Sequence, residues 1–254
     1  MKNRPNILTI AGFDPSGGAG ILADIKTIES LKGYGVAVCT ANTIQNDIKF
    51  LSCDWVNKDI IKEQLDSILE RFTISFVKIG VVKNWKTLHF IIDHILDKVQ
   101  NIKIILDPVL KSSTAYAFQN PDQDKELNHE FDKILEKIHL ITPNYKEIQM
   151  LYPDQTIDEA IKHISCRTHL FLKGGHREDA IGKDELFTTT GKHYILNPKG
   201  NKCSEKHGSG CVLSSAITTY LALGYPLLKS CLKAKRYTEK ILSSNDTLLG
   251  YHKM

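Results

Sequence analysis

Residues 6–24 read NILTIAGFDPSGGAGILAD. An apolar run over 6–11, short and bounded by glycine, predicts a strand. Four glycines follow within nine residues, and then Ile21, Leu22, Ile25, Ile28 and Leu31 recur at helical spacing, with Gly33 as a stop. Strand, glycine-rich connection and helix together open an α/β unit. Glycines at such a point let backbone come close to a neighbour, and the question is what that neighbour is. Gly18-Ala-Gly20-Ile-Leu-Ala23 formally fits the dinucleotide pattern G-x-G-x-x-A. The glycines come about six residues after the strand, however, where that motif needs a tight turn, and the next apolar run, 36–41, carries no acid for a ribose hydroxyl. No Lys-Ser or Lys-Thr follows the glycines, so the stretch is not a P-loop either.

The alternation continues outward along the chain. Strands are predicted over 36–41, 76–79, 103–107, 139–142 and 169–172, each ending near Gly, Pro, Asn or Asp. Helical spacing recurs through Ile60, Ile61, Leu65, Ile68 and Leu69, and again through Leu88, Ile91, Ile92, Ile95 and Leu96. Thr156 and Glu159 form a capping box at the start of a further helix. A hairpin with Gly191 near its turn joins ELFTTT to HYILN, and helices over 210–223 and 226–243 close the chain. Strands apolar on both faces imply a mainly parallel sheet with helices on both sides. The less regular stretch 42–55 is expected to form short strands off the main sheet. We expect a single domain over 1–254, with ligands at the carboxyl ends of the strands.

Composition narrows the function. Hydrophobic residues are 42% of the 254 and charged residues 24%, values of a globular chain that can bury a core without disulfides. The 33 basic and 29 acidic residues are spread along the chain, which argues against nucleic-acid binding. No apolar run reaches membrane-spanning length, and none resembles a signal peptide. The six cysteines show no C-x-x-C spacing. The expectation is a reduced, cytoplasmic protein with no membrane or nucleic-acid partner.

A second glycine cluster, KHGSGCVLSSA at 206–216, carries the chemistry. Gly208, Ser209 and Gly210 run into a helix, where free amides and the helix dipole make an anion site. Cys211 in the first turn is expected to have a depressed pKa. The other reading is a glycine-rich turn holding a small core cysteine.

The segments TIAGFDPSGGAGILADIKT, TANTIQND, KIGVV, LDPV, ITPNYKE, LKGGH and HGSGC occur in one order over about residues 7–242. Together they resemble the hydroxymethylpyrimidine and phosphomethylpyrimidine kinases of thiamine biosynthesis, in the ribokinase superfamily. The resemblance implies a ribokinase-like fold with short extra strands near the substrate pocket. It implies ATP and Mg2+ as cofactors, a small pyrimidine substrate and a homodimer. Gly12, Asp24, Gln45 and Val81 would meet the substrate. Asp24 read alone is a solvated or capping carboxylate, and Val81 stands where the family commonly has methionine. The Gln45 amide offers a donor and an acceptor side by side, complementing an aminopyrimidine edge. Asn144, Lys173 and Gly174 would contact nucleotide phosphates, and Asp107 and Glu147 would act on magnesium through water. The amides of Gly208, Ser209 and Gly210 would hold the phosphoryl group, with Cys211 as the base where most ribokinase relatives use aspartate. A pyridoxal or pyridoxine kinase, or a non-catalytic pyrimidine- or vitamin-binding protein, remains an alternative on sequence alone.

Overall fold

β1 (Asn6–Phe13) leads through the first glycines into α1 (Gly20–Ser30), and the chain returns as β2 (Tyr34–Gln45), parallel to β1. The structure, a computed structural model, describes residues 4–110, 127–175, 181–199 and 203–252. β3 (Phe50–Trp55) folds back antiparallel on β2. Then follow α2 (Lys58–Arg71), β4 (Ile74–Ile79), α3 (Trp85–Lys98), β5 (Lys103–Leu106), α4 (Leu127–Leu135), β6 (Leu140–Ile141), α5 (Tyr145–Leu151), α6 (Ile157–Ser165) and β7 (His169–Leu172). β8 (Asp184–Phe187) and β9 (His193–Leu196) form the expected hairpin, and α7 (Ser209–Ala222) and α8 (Leu227–Leu242) complete the described elements.

One sheet of nine strands runs in the order β3-β2-β1-β4-β5-β6-β7-β8-β9. It is parallel from β2 to β7 and antiparallel at both ends. Alternate residues of the central strands enter two cores. Ile104, Leu106, Ile141, Leu170 and Leu172 pack with Leu65, Leu88, Ile134, Ile148 and Ile164 on the face covered by α2 to α6. Ile105, Leu140 and Phe171 point the other way, against Val212, Ile217, Cys231 and Ala234 of α7 and α8. A strand buried on both faces needs apolar residues throughout, which is why these runs are continuous in the sequence. Asn57, Asn84 and Thr156 accept hydrogen bonds from free amides at the starts of α2, α3 and α6, fixing where those helices begin.

Residues 42–55 depart from expectation. They do not lie off the main sheet: β2 runs on to Gln45, and β3 pairs with it from Ala41↔Trp55 to Gln45↔Phe50. β1 ends opposite Asn42, so the backbone of β2 beyond that point has only β3 to bond with. The result is a sheet edge standing beside the carboxyl end of β1. Among the described residues, no helix is long and apolar enough to cross a membrane.

Candidate active site

Three neighbouring strands, β5, β6 and β7, each bring one of the expected site residues to the carboxyl edge, where open α/β sheets bind ligands. Asp107 follows β5, Asn144 follows β6 and Lys173 follows β7, with Asn144 and Lys173 joined by a parallel β-bridge. The Lys173 ammonium lies 2.8 Å from Asp107 Oδ1 and 3.6 Å from Glu147 Oε2. Asp107 also accepts from Ser214 of α7, at 3.2 Å. Asn144 and Glu147 form a reciprocal capping box: Asn144 Oδ1 accepts from the Glu147 amide at 2.9 Å, and Glu147 Oε2 accepts from the Asn144 amide at 2.7 Å. This cap aims the Glu147 carboxylate back at Lys173.

Burial and mutual charge set the ionisation here. Burial opposes charge on Lys173, but Asp107 and Glu147 outweigh it and push its pKa up. Burial likewise opposes an ionised Asp107, yet Lys173 and Lys78 hold its carboxyl below the usual range. Glu147 moves the other way: burial raises it, and Asp107 adds to the rise. Two carboxylates sharing one cation diverge in this manner.

The N-terminus of α7 closes over this group. A Cβ built on Gly210 would lie 3.4 Å from Lys173 Nζ and 3.7 Å from Asp107 Oδ2, so the helix start faces the lysine–carboxylate pair. Gly208 has φ +74°, and a Cβ there would stand 2.1 Å from the Gly18 carbonyl oxygen. The opening glycines and the second cluster therefore lie against one another: Gly208 admits the Gly18 carbonyl, and Gly18 in turn admits the side chains of His207 and Leu249. Gly20, at φ +57°, passes equally close to the Gly12 carbonyl. Asp14 and His207 fasten the junction with a 2.9 Å bond, both side chains buried. Burial opposes the Asp14 charge, but hydrogen bonds from His207, Ser16 and Ala19 hold its carboxyl below the usual range.

The other half of the site lies at the carboxyl ends of β1, β2 and β4. Gly12 faces Val81, whose Cγ1 would be 3.0 Å from a Cβ on Gly12. Gln45 stands at the end of β2, its amide nitrogen donating to Thr43 Oγ1 at 2.8 Å. Gly12, Val81 and Gln45 thus stand at the same end of the sheet.

Three expectations need correction. Asp24 is not the solvated or capping carboxylate it reads as alone: it is fully buried, and its carboxylate accepts from Thr9 at 2.6 Å, Ser215 at 2.7 Å and Lys78 at 2.8 and 3.0 Å. Burial opposes charge on Lys78, but Asp24, Cys211 and Asp107 raise its pKa. Cys211 does not have a depressed pKa. Burial pushes the thiol up to about 11; Lys78 and a Gly20 backbone hydrogen bond pull the other way, but burial, with the charges of Asp24 and Asp107 added to it, prevails. Gly174 does not offer its amide to a phosphate: the N–H donates to Asp184 at 2.8 Å, and a Cβ would meet the Lys183 carbonyl at 1.9 Å. It serves a close backbone crossing between β7 and β8.

Cys211, Ser214 and Ser215 share one face of α7. That face bonds Asp107 through Ser214 and Asp24 through Ser215, so one helix carries both carboxylate groups. Among the described residues no cluster of three or more His, Cys, Asp or Glu side chains could itself cage a metal. Asp107 and Glu147 suit a cation such as Mg2+, which keeps most of its water and takes one or two carboxylates plus phosphate oxygens.

Phosphoryl transfer asks for charge neutralisation and alignment more than covalent help. The carboxyl edge supplies both, and with the sheet order it defines a ribokinase-like kinase of small molecules. The phosphomethylpyrimidine kinase family matches residues 14–253, and the chain belongs to that family. It is 34% identical to the hydroxymethylpyrimidine/phosphomethylpyrimidine kinase of Aquifex aeolicus, over 97% of this chain and 98% of the relative. The same-named protein of Staphylococcus aureus strain Mu50 is 33% identical over 92% and 87%. Among solved structures, phosphomethylpyrimidine kinase from Clostridium difficile 630 superposes with TM-score 0.76 at 30% identity, covering 93% of this chain and 99% of that one. Pyridoxal kinase from Staphylococcus aureus in complex with ADP shares the fold, with TM-score 0.80 at 24% identity over 95% and 89%.

Proposed function

We propose that this chain phosphorylates 4-amino-5-hydroxymethyl-2-methylpyrimidine with ATP, first to the monophosphate and then to the diphosphate, for thiamine biosynthesis. The observation that carries the reading is the approach of the α7 N-terminus to Lys173 and Asp107, whose Nζ and Oδ2 lie 3.4 and 3.7 Å from where a Cβ on Gly210 would stand. Gly12, Val81 and Gln45, at the carboxyl ends of β1, β4 and β2, would take the flat ring, with the Gln45 amide to read its edge. Lys173 and Asn144 contact the nucleotide phosphates. The amides of Gly208, Ser209 and Gly210, with the helix dipole, receive the transferring group. Asp107 and Glu147 hold Mg2+ through water, and the ion when bound neutralises phosphate charge.

In the first transfer the hydroxymethyl oxygen bonds to the γ-phosphorus, the bond from that phosphorus to the bridging oxygen breaks, and ADP leaves. The alcohol proton goes to Cys211. A loose transition state releases that proton late, so the small thiolate fraction favoured by Lys78 suffices, and the step quickens with pH. In the second transfer the acceptor is already a phosphate oxyanion and needs no base. We read the protein as a single-domain cytoplasmic homodimer on the family resemblance, which sedimentation tests directly.

Mass analysis of products from magnesium ATP and the aminopyrimidine, with pyridoxal in parallel, tests the reading. Mono- and diphosphate of the pyrimidine are expected. A strong preference for pyridoxal, or no phosphorylated product from folded protein, would overturn it.

A further inference from the structure

Lys206 stands two residues before the phosphoryl-binding loop and is 4% exposed. Its ammonium has three N–H donors, and each finds an oxygen: the carbonyls of Asn245 and Thr247 at 2.6 Å, and Ser204 Oγ. None of these acceptors is ionised. A buried lysine is ordinarily paired with a carboxylate, as Lys78, Lys173 and Lys235 are in this protein. Lys206 instead gathers backbone of the segment that follows α8.

The neighbouring bonds continue the connection. The His207 amide donates to the Leu248 carbonyl at 2.9 Å, and the Lys206 carbonyl accepts a long bond, 3.4 Å, from the Ser209 amide. Ser204 Oγ donates to the carbonyls of Leu242 and Asn245. On the other side, Leu249 and His207 both press on Gly18, their atoms 2.7 and 2.6 Å from where its Cβ would be. Lys206, His207 and Ser209 line one small cavity, about 40 Å³, with Gly17, Gly18 and Leu249. Residues 245–249 are thus wedged beside both glycine clusters, and one ammonium ties them there.

We propose that Lys206 is a positioning residue: its ammonium clamps residues 245–248 against the 206–210 loop and thereby sets the loop that receives the phosphoryl group. The effect on turnover rests on the kinase reading above; the clamp itself does not. A second consequence is electrostatic. The positive charge has no carboxylate among its bonded partners, so it remains felt by an anion arriving at the adjacent loop.

The test compares wild type with Lys206→Met, Lys206→Ala and the milder Ser204→Ala, which keeps the lysine and removes one acceptor. Hydrogen exchange by mass spectrometry reads the clamp without reference to activity: Lys206→Met is expected to lose protection in both 206–210 and 245–249. In steady-state assays kcat is expected to fall about tenfold or more in Lys206→Met, the scale of lost bonds to a buried charge, and about two- to threefold in Ser204→Ala. KM for the pyrimidine should stay within about twofold, because its pocket lies at the ends of β1, β2 and β4. Added ammonium ion should restore kcat to Lys206→Ala by entering the vacated oxygen cage, a recovery that a merely structural lysine would not give. Unchanged exchange in both segments, or a fall in kcat that ammonium leaves untouched while KM for the pyrimidine rises in step, would overturn the proposal. Should Lys206→Met fail to fold, Ser204→Ala with unaltered exchange and kcat would overturn it as well. A wild-type protein that makes no product defeats the kinase reading alone, and the exchange arm still decides the clamp.

Discussion

Asp24→Asn is the replacement whose outcome the buried network determines most sharply. In the native protein two carboxylate oxygens accept from Thr9, Ser215 and twice from Lys78, all within 3.0 Å and fully buried. Asparagine keeps one of those oxygens and turns an NH2 group toward an ammonium. Lys78 then stays buried without its nearest counter-charge. Breaking a buried pair in this way costs about 3–5 kcal/mol, a large part of the roughly 5–15 kcal/mol that holds a domain together. For a chain of this size the loss lowers Tm by about 6–20 °C. Urea unfolding followed by circular dichroism measures it. The double replacement Asp24→Leu with Lys78→Met is neutral and close in volume, and it should return stability to within about 1–2 kcal/mol of wild type. The reasoning is refuted if Asp24→Asn costs less than about 1 kcal/mol and instead raises KM for the pyrimidine. That result would make Asp24 a substrate contact and its burial an incomplete description.

Gly208→Ala should be damaging, since φ is +74° and the new methyl would sit 2.1 Å from the Gly18 carbonyl. The left-handed backbone alone costs about 1–2 kcal/mol, and displacing the amide loop should lower kcat about 100-fold; Gly175→Ala, where a Cβ meets nothing within 4 Å among the described residues, is the silent control in the same unfolding and turnover assays. Cys211, with its thiol pushed up to about 11, should resist alkylation: roughly one thiol in three thousand is ionised at pH 7.5, and the iodoacetamide rate should climb about tenfold per pH unit up to pH 10. A plateau near pH 7 would show a depressed pKa after all. His139 and His252 are held down to about 4 by burial, with His169 and Lys103 adding to the first and Lys26 to the second. Each is neutral in the fold and protonates on unfolding, so stability is full above about pH 6.5 and falls as pH drops toward 4. Allowing for the solvent that reaches them, each should cost about 1 kcal/mol at pH 5, and His252→Gln should remove its share from the pH dependence of the urea midpoint.

The central sheet was legible because its strands are buried on both faces and therefore read as unbroken apolar runs. The β2–β3 edge was not, for the opposite reason. There Ile44, Ile48 and Leu51 are exposed, so hydrophobicity in that stretch does not mark a core face. Asp107, Asn144, Glu147 and Lys173 come from the family resemblance rather than from position: Asp107, Asn144 and Lys173 stand just past strand ends and Glu147 one helical turn beyond Asn144, but alone these read equally as strand ends and a helix cap. Asp14 and His207 could not. Both lie in glycine-rich stretches, and nothing local announces a bond between residues 193 apart. Asp24 was misplaced because its partner, Lys78, lies on another strand, inside a segment read only as a motif. For Cys211 the helix start is visible in the sequence, and its dipole favours a thiolate. The burial that reverses the direction, and the Asp24 and Asp107 charges that add to it, come from tertiary packing that spacing along the chain does not show.

The junction between the two glycine clusters also bears on how the protein is made. Asp14 leaves the ribosome early, and His207, which covers it, follows 193 residues later. A chain released before that point holds β1 and its loop but lacks the surface that buries them. Its first loop, rich in glycine and polar side chains, stays open to water, the kind of segment proteases cut first. On the proposed reading the same late residues receive the phosphoryl group, so the loop and the phosphoryl site would be completed together. The junction therefore waits on His207, and a chain cut short before it leaves an open loop exposed to proteolysis.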